Sequence, residues 1–205
     1  MQSRDRAVRA DSVGFTTETP TEPRQNLGLR RDRAGAALAS GTVMKDVLAD
    51  QDVINFGEVP QPINALLQQG VVAYRTDRSR ADALFRQALD AAPGQLPVYF
   101  CLYKIHTYLG NLDRAEDAAE AGLAEAARQA GWSPDWQAWT RPAAEPQGAA
   151  RFALYTLKAL AFIHLRQDRP AEARRKLDAL KQLDPAGLVG WPVVAALAEG
   201  CGEIR

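Results

Sequence analysis

The sequence predicts an all-α protein whose helices come in stacked pairs, and three observations carry that expectation. Apolar residues recur at helical rather than strand spacing from Ile63 onward. Small and apolar positions repeat at one fixed interval, with Ala115 answering Ala81 and Leu123 answering Leu89. Prolines close the second segments of two units at Pro93 and Pro185, because proline pushes the residue before it out of helical geometry.

Residues 1–41 show no sustained period and are rich in Thr, Pro, Arg and Ala, so they read as a disordered N-terminal extension. Met44 opens the first well-patterned segment, which leaves a translation start at that position open. Residues 42–61 read as an N-terminal helix and linker. Thr42 can cap a short helix with Val43, Val47 and Leu48 on one face, and Asn55-Phe56-Gly57 and Pro60 then break it.

The repeating domain spans 62–200, with units at about 62–95, 96–130 and 154–187. In unit one the first helix carries Leu66 and Ala73, in unit two Tyr99, Leu102 and His106, and in unit three Leu157, Leu160 and His164. Polar turns follow at Thr76-Asp77, Gly110-Asn111 and Asp168. Each second helix then offers a small residue where two helices cross closely: Ala81, Ala115 and Ala173. The step from Ala115 to Ala173 is longer than the step from Ala81 to Ala115, so an insertion separates units two and three. With no proline at Ala127, the second helix of unit two should run on through Gln129. Gly190-Trp191-Pro192 starts a last helix over 191–200 with Val193, Val194 and Leu197 on one side, suited to capping the array. Residues 201–205 form a tail.

The period, the helix–turn–helix layout, the small residue early in the second helix, the large one four further on (Phe85, Leu177) and the closing proline resemble the tetratricopeptide repeat (TPR) over about Pro62–Gly187. That resemblance implies a right-handed solenoid of three helix pairs with short capping helices at both ends. It departs from the family at Gln68-Gln69, Leu102-Tyr103 and Leu160-Ala161, where a Leu-Gly pair is usual, and at Ala119, where a large residue is usual.

The chain offers little for other function classes. Lys+Arg and Asp+Glu balance at 25 each, against the basic excess of a nucleic-acid binder. Cys101 and Cys201 form no CxxC pair. No stretch of 18 apolar residues could span a membrane, and the N-terminus lacks the apolar run of a secretory signal, so a cytoplasmic location is expected. No phosphate-binding loop, HExxH or GxSxG occurs, and no catalytic residue, metal site or cofactor is expected. His106 and His164 fall at the same position of units two and three, where a ring packs between helices. Neither of their own helices offers a nearby carboxylate to orient a metal ligand, so a packing role is expected.

The insertion over 131–150 contains Trp132, Trp136 and Trp139. Ser133 can cap a short helix there, with Trp136 and Trp139 on one face, and RPAAEPQGAA follows as a linker. The tryptophans should cover the junction between units two and three; a secondary partner-contact patch is the alternative. The second helix of unit two is acidic and unit three is basic, read as a solvated face, or else as a contact between copies of a monomer or weak homodimer.

The TPR resemblance implies that the first helices line a groove for a protein or peptide ligand. Its lining would be Leu66 and Tyr74, then Phe100, Lys104, Thr107 and Tyr108, then Lys158, Phe162 and Arg166. Aromatics beside cations suit a peptide with apolar anchors and some acid. The carboxylate clamp of some family members is excluded, because Leu66, Gly70, Cys101, Tyr155 and Ala159 stand at its positions. The expected function is therefore a non-enzymatic adaptor or scaffold. A small TPR chaperone assisting secretion or the assembly of a multi-subunit enzyme is the alternative.

Overall fold

The computed structural model describes residues 56–202, so the expectations for 1–41, for the helix over 42–55 and for the last three residues of the tail lie outside the described residues. Within them the chain is all-α. It forms α1 (Gln61–Tyr74), α2 (Arg78–Ala91), α3 (Leu96–Leu109), α4 (Leu112–Ala130), a 3-10 turn (Trp136–Ala138), α5 (Gly148–Arg166), α6 (Pro170–Leu183) and α7 (Trp191–Gly202). Each α-helix packs on the next in sequence. In addition α1 touches α3, α3 touches α5 and α5 touches α7.

Local sequence sets the helix ends. Pro62, Pro97 and Pro170 lie in the first turns of α1, α3 and α6, where the missing N–H costs nothing. Asp77 caps α2 by accepting from the Arg80 amide at 2.9 Å. Ala92 and Asp184, each before a proline, leave helical geometry and end α2 and α6. Gly110 ends α3 with φ 77°, and Asp168, at the matching place in unit three, adopts φ 58° after α5. Asn111 N–H reaches His106 O at 2.9 Å and Arg169 N–H reaches His164 O at 2.8 Å, so the two ends close with the same bond.

Close packing supplies the rest. Gly70 lets the Phe85 ring lie against α1; a Cβ there would stand 2.7 Å from two of its ring carbons. In α3 and α4 the roles reverse, because Tyr99 is the large residue and Gly122 the small one. The main core runs from Phe56 through Val189, and a smaller one joins Ala161, Ala173 and Leu177 to Val194 and Ala198 of α7.

Four expectations are corrected. The buried stripe of α1 is Ile63, Leu67, Gly70, Val71 and Tyr74, not Leu66 and Ala73: both sets keep helical spacing, and packing against Phe85 through Gly70 turns the first set inward. Val194 and Ala198 form the inner face of α7, one turn apart, and Val193 is exposed. The insertion ends at Gln147 rather than residue 150: once past Pro146, the Ala-rich stretch after Gly148 joins α5. Its 3-10 turn is capped by Asp135, which accepts from Gln137 N–H at 2.9 Å, while Ser133 accepts from Asp135 N–H. Consequently Trp139 pairs edge-to-face with Trp132, at 4.8 Å, instead of sharing a face with Trp136. All three tryptophans pack against the main core, as a cover for it would.

Candidate functional site

Helix α3 is buried on all sides from Val98 to Thr107, which its uniformly apolar and aromatic sequence permits. Three residues break that apolarity, Lys104, His106 and Thr107, only 5%, 2% and 6% exposed. Thr107 satisfies its hydroxyl locally by donating to Tyr103 O at 2.6 Å. Lys104 Nζ donates to Tyr108 Oη at 3.3 Å and lies 5.5 Å from the Phe100 ring centre and 5.3 Å from that of Tyr108.

Across from it, α5 presents Lys158, which is 7% exposed. Its Nζ donates to Val189 O at 2.7 Å and sits 3.7 Å above the Tyr155 ring. Val189 is positioned by Asp184, whose two carboxylate oxygens accept from Leu188 N–H at 3.0 Å and Val189 N–H at 2.9 Å. The α6–α7 connection thus delivers a carbonyl to the Lys158 amine. Burial first, and the positive charge of Lys104 second, bring the Lys158 amine down to about 7.

Between these helices lies a shallow, half-open depression of about 20 Å³, lined by Tyr103, Lys104, Thr107, Tyr108, Tyr155, Lys158, Ala159 and Phe162. Five of the nine residues expected on the groove meet here: Lys104, Thr107, Tyr108, Lys158 and Phe162. Phe100 backs the pocket, 6.1 Å from the Tyr155 ring centre. Arg166 instead donates to Thr107 O at 2.8 Å, satisfying a carbonyl in the last turn of α3. Leu66 and Tyr74 do not line the pocket. Tyr74 belongs to the core, with the Arg78 guanidinium 5.6 Å from its ring centre. Sequence reasoning missed Tyr103, and it considered Tyr155 and Ala159 only as failed clamp positions. The Val189 carbonyl comes from the connection beyond the next helix, 31 residues from Lys158 and beyond the reach of any local pattern.

The histidines have carboxylates after all, supplied by the preceding helix pair. His106 Nε2 is 3.1 Å from Asp82 Oδ1 on α2, and His164 Nε2 is 2.8 Å from Glu116 Oε1 on α4. Burial lowers the pKa of both rings, so each is neutral, and His164 donates through Nε2–H. The step from Asp82 to Glu116 equals that from Ala81 to Ala115, and the step from His106 to His164 equals that from Ala115 to Ala173, so the contact recurs with the repeat. Glu116 also accepts from Arg169 and Gln167, each at 2.9 Å. Burial alone would raise its carboxyl, but hydrogen bonds from Gln167, His164 and Arg169 outweigh this and hold it at about 2. The acidic α4 and basic unit three therefore meet at Glu116 within one chain, where the sequence reading had them solvated or joining two copies. Lys176, counted there among the solvated cations, is buried with its Nζ 5.2 Å from the Trp136 ring centre.

No helix among the described residues is long and apolar enough to cross a membrane. No protein-family model, curated protein or solved structure matches the chain.

Proposed function

We propose that this chain is a TPR-like right-handed solenoid of three helix pairs, closed by a capping helix. It acts as a non-enzymatic interaction module that takes a peptide or helix of a partner protein on the face shared by α3 and α5. The pocket carries the reading: first helices of successive pairs bring Tyr108, Phe162, Lys104 and Lys158 to one half-open depression. Aromatic rings with a few fixed polar groups suit an anchored side chain from a partner. The solenoid reading draws its support from contacts that recur at repeat-equivalent positions, the His–acid pairs and the left-handed residues after α3 and α5.

Tyr108 and Phe162 are half-buried at the pocket, and Phe162 also packs against the edge of the smaller core, so the variant's fold is measured first. Partner capture from cell extract should be compared between the full chain and its Tyr108→Ala, Phe162→Ala variant, after circular dichroism shows equal helicity. The expected outcome is loss of the captured proteins in the variant. Capture of the same proteins at the same yield would sink the groove reading.

A further inference from the structure

We infer that residues 43–54 of this chain form one further helix that folds back antiparallel over the outer face of α1, so that the array caps its own first end. The cap presupposes the solenoid reading and is independent of the groove.

The outer face of α1 lacks the charge that water-facing helices carry. Its 14 residues, Gln61–Tyr74, include no Asp, Glu, Lys or Arg. One side is buried through Ile63, Leu67, Gly70, Val71 and Tyr74. The other presents Pro62, Ala65, Gln69 and Val72, all exposed, with Leu66 and Ala73 half-buried at its edge. Val72 alone is 61% exposed. A helix at a free surface turns a charged face to water. Its neighbour α2 does so with Arg80, Arg86 and Asp90.

Helices α3 and α5 show what covers such a face. Each packs on the second helix of its own pair and on the helix before it, α3 on α4 and α2, α5 on α6 and α4. In consequence α3 is buried on all sides from Val98 to Thr107. Helix α1 packs on α2 and α3 and, among the described residues, on no helix before it. The place left open is that of a helix preceding α1 in sequence.

Residues 43–54 have the pattern to fill it. Val43, Val47 and Ile54 share one helical face, flanked by Met44 and Leu48, with Gln51 as the uncharged polar residue within it. Lys45, Asp46 and Asp52 fall on the other side, together with Val53, and give the mainly polar exterior that the end of a stack requires. These 12 positions span roughly 18 Å as a helix, against roughly 21 Å for α1. So short a helix is marginal by itself and draws its stability from the face it covers.

The tether favours this segment over a second copy of the chain. Phe56 is 7% exposed and belongs to the main core, and Val59 packs against that core. The chain is therefore fixed to the fold just before α1 begins. Residues 55–60 suffice to reverse its direction, because antiparallel helices are commonly joined by about 2–8 residues. Held so closely, the segment meets α1 at an effective concentration on the order of millimolar, which a second copy must exceed.

The test is nuclear magnetic resonance of the full chain with ¹³C-labelled methyl groups. Nuclear Overhauser contacts should join the Val72 methyls to those of Met44, Val47 or Leu48. A sample mixing labelled and unlabelled chains should show none of these contacts between chains. Val47→Asp and Val72→Asp should each lower Tm by roughly 3–8 °C. Combined, they should lower it by less than the sum, since the second charge enters a face already open.

A Val72 without contacts to 43–54 overturns the inference. So does a Val72→Asp protein whose Tm stays within about 2 °C of the parent, as an uncovered surface valine would allow. Contacts found only between chains overturn it and assign the face to a second copy. Contacts from 43–54 to Tyr108 or Phe162 overturn it and make the segment an occupant of the groove. Methyl contacts among Ala161 of α5, Leu177 of α6 and Val194 of α7 decide the solenoid reading separately. Their loss fails the stacking itself, whereas their presence beside an uncovered Val72 fails the cap alone.

Discussion

Gly70 shows how little room separates α1 from α2. A methyl group at this position would drive into the Phe85 ring, which is itself fully buried. Gly70→Ala should therefore destabilise the protein by about 1–3 kcal/mol. Gly200→Ala is the matched control: nothing lies within 4 Å of its Cβ, and relief of glycine's backbone entropy should stabilise by up to about 1 kcal/mol. Urea denaturation of the two variants checks both, and a Gly70→Ala protein as stable as wild type would contradict the packing described. Residue-level legibility was mixed. Ala81, Ala115 and Ala173 read correctly as interior positions, since all three are fully buried. The histidines read correctly as interior, yet their carboxylates did not show, because Asp82 and Glu116 belong to other helices. Lys104 and Lys158 were read as sharing one face, and both line the depression between α3 and α5. That both would be buried was not legible, because burial of a charge depends on what stands opposite.

At the scale of elements, helix ends were the most legible feature because they depend on a few local residues. The Gly110 and Asp168 turns, the closing Pro93 and Pro185 and the run of α4 beyond Gln129 all stand where the sequence put them. The register of α1 and the first turn of α5 were less legible. In α1 the apolar Leu66 and Leu67 are adjacent, and packing rather than pattern selects Leu67 for the interior. The insertion is held by its own contacts: Trp139 Nε1–H donates to Ser133 O at 2.7 Å, and its ring meets Trp132. Trp139→Ala should cost about 1–2 kcal/mol without loss of helicity, by paired chemical denaturation and circular dichroism. The α6–α7 connection depends on one carboxylate. Asp184→Ala strips the buried Val189 amide of its acceptor and should cost about 1–3 kcal/mol. Hydrogen exchange at Leu188 and Val189 should speed up, while amides in α3 keep their protection.

For the molecule as a whole, acid should act in two stages. His106 and His164 are kept neutral by burial, so the folded state holds fewer protons on them than the unfolded chain. The stability they give is complete above about 6.5 and is drawn down as pH falls below it. Glu116, held at about 2 against 4.5, gives stability that is present above 4.5 and lost as pH falls towards 2. Its share is about 3 kcal/mol at most. Thermal unfolding followed from pH 7.5 to pH 2.5 should show both declines. Glu116→Gln should lower Tm at pH 7 and flatten the second decline, and a Tm independent of pH below 4.5 in the parent protein would contradict the Glu116 assignment.

The His–acid pair joins the described helix pairs and does not recur beyond those two contacts among the described residues. The step that carries Ala115 back to Ala81 carries His106 back to Val72, which is exposed. The step that carries Ala115 on to Ala173 carries Glu116 on to Arg174, also exposed. The first unit thus has an acid for the unit after it but no histidine for one before, and the third has a histidine but no acid to offer. A further joint of this kind would need both a buried ring and an acid, and Val72 and Arg174 supply neither.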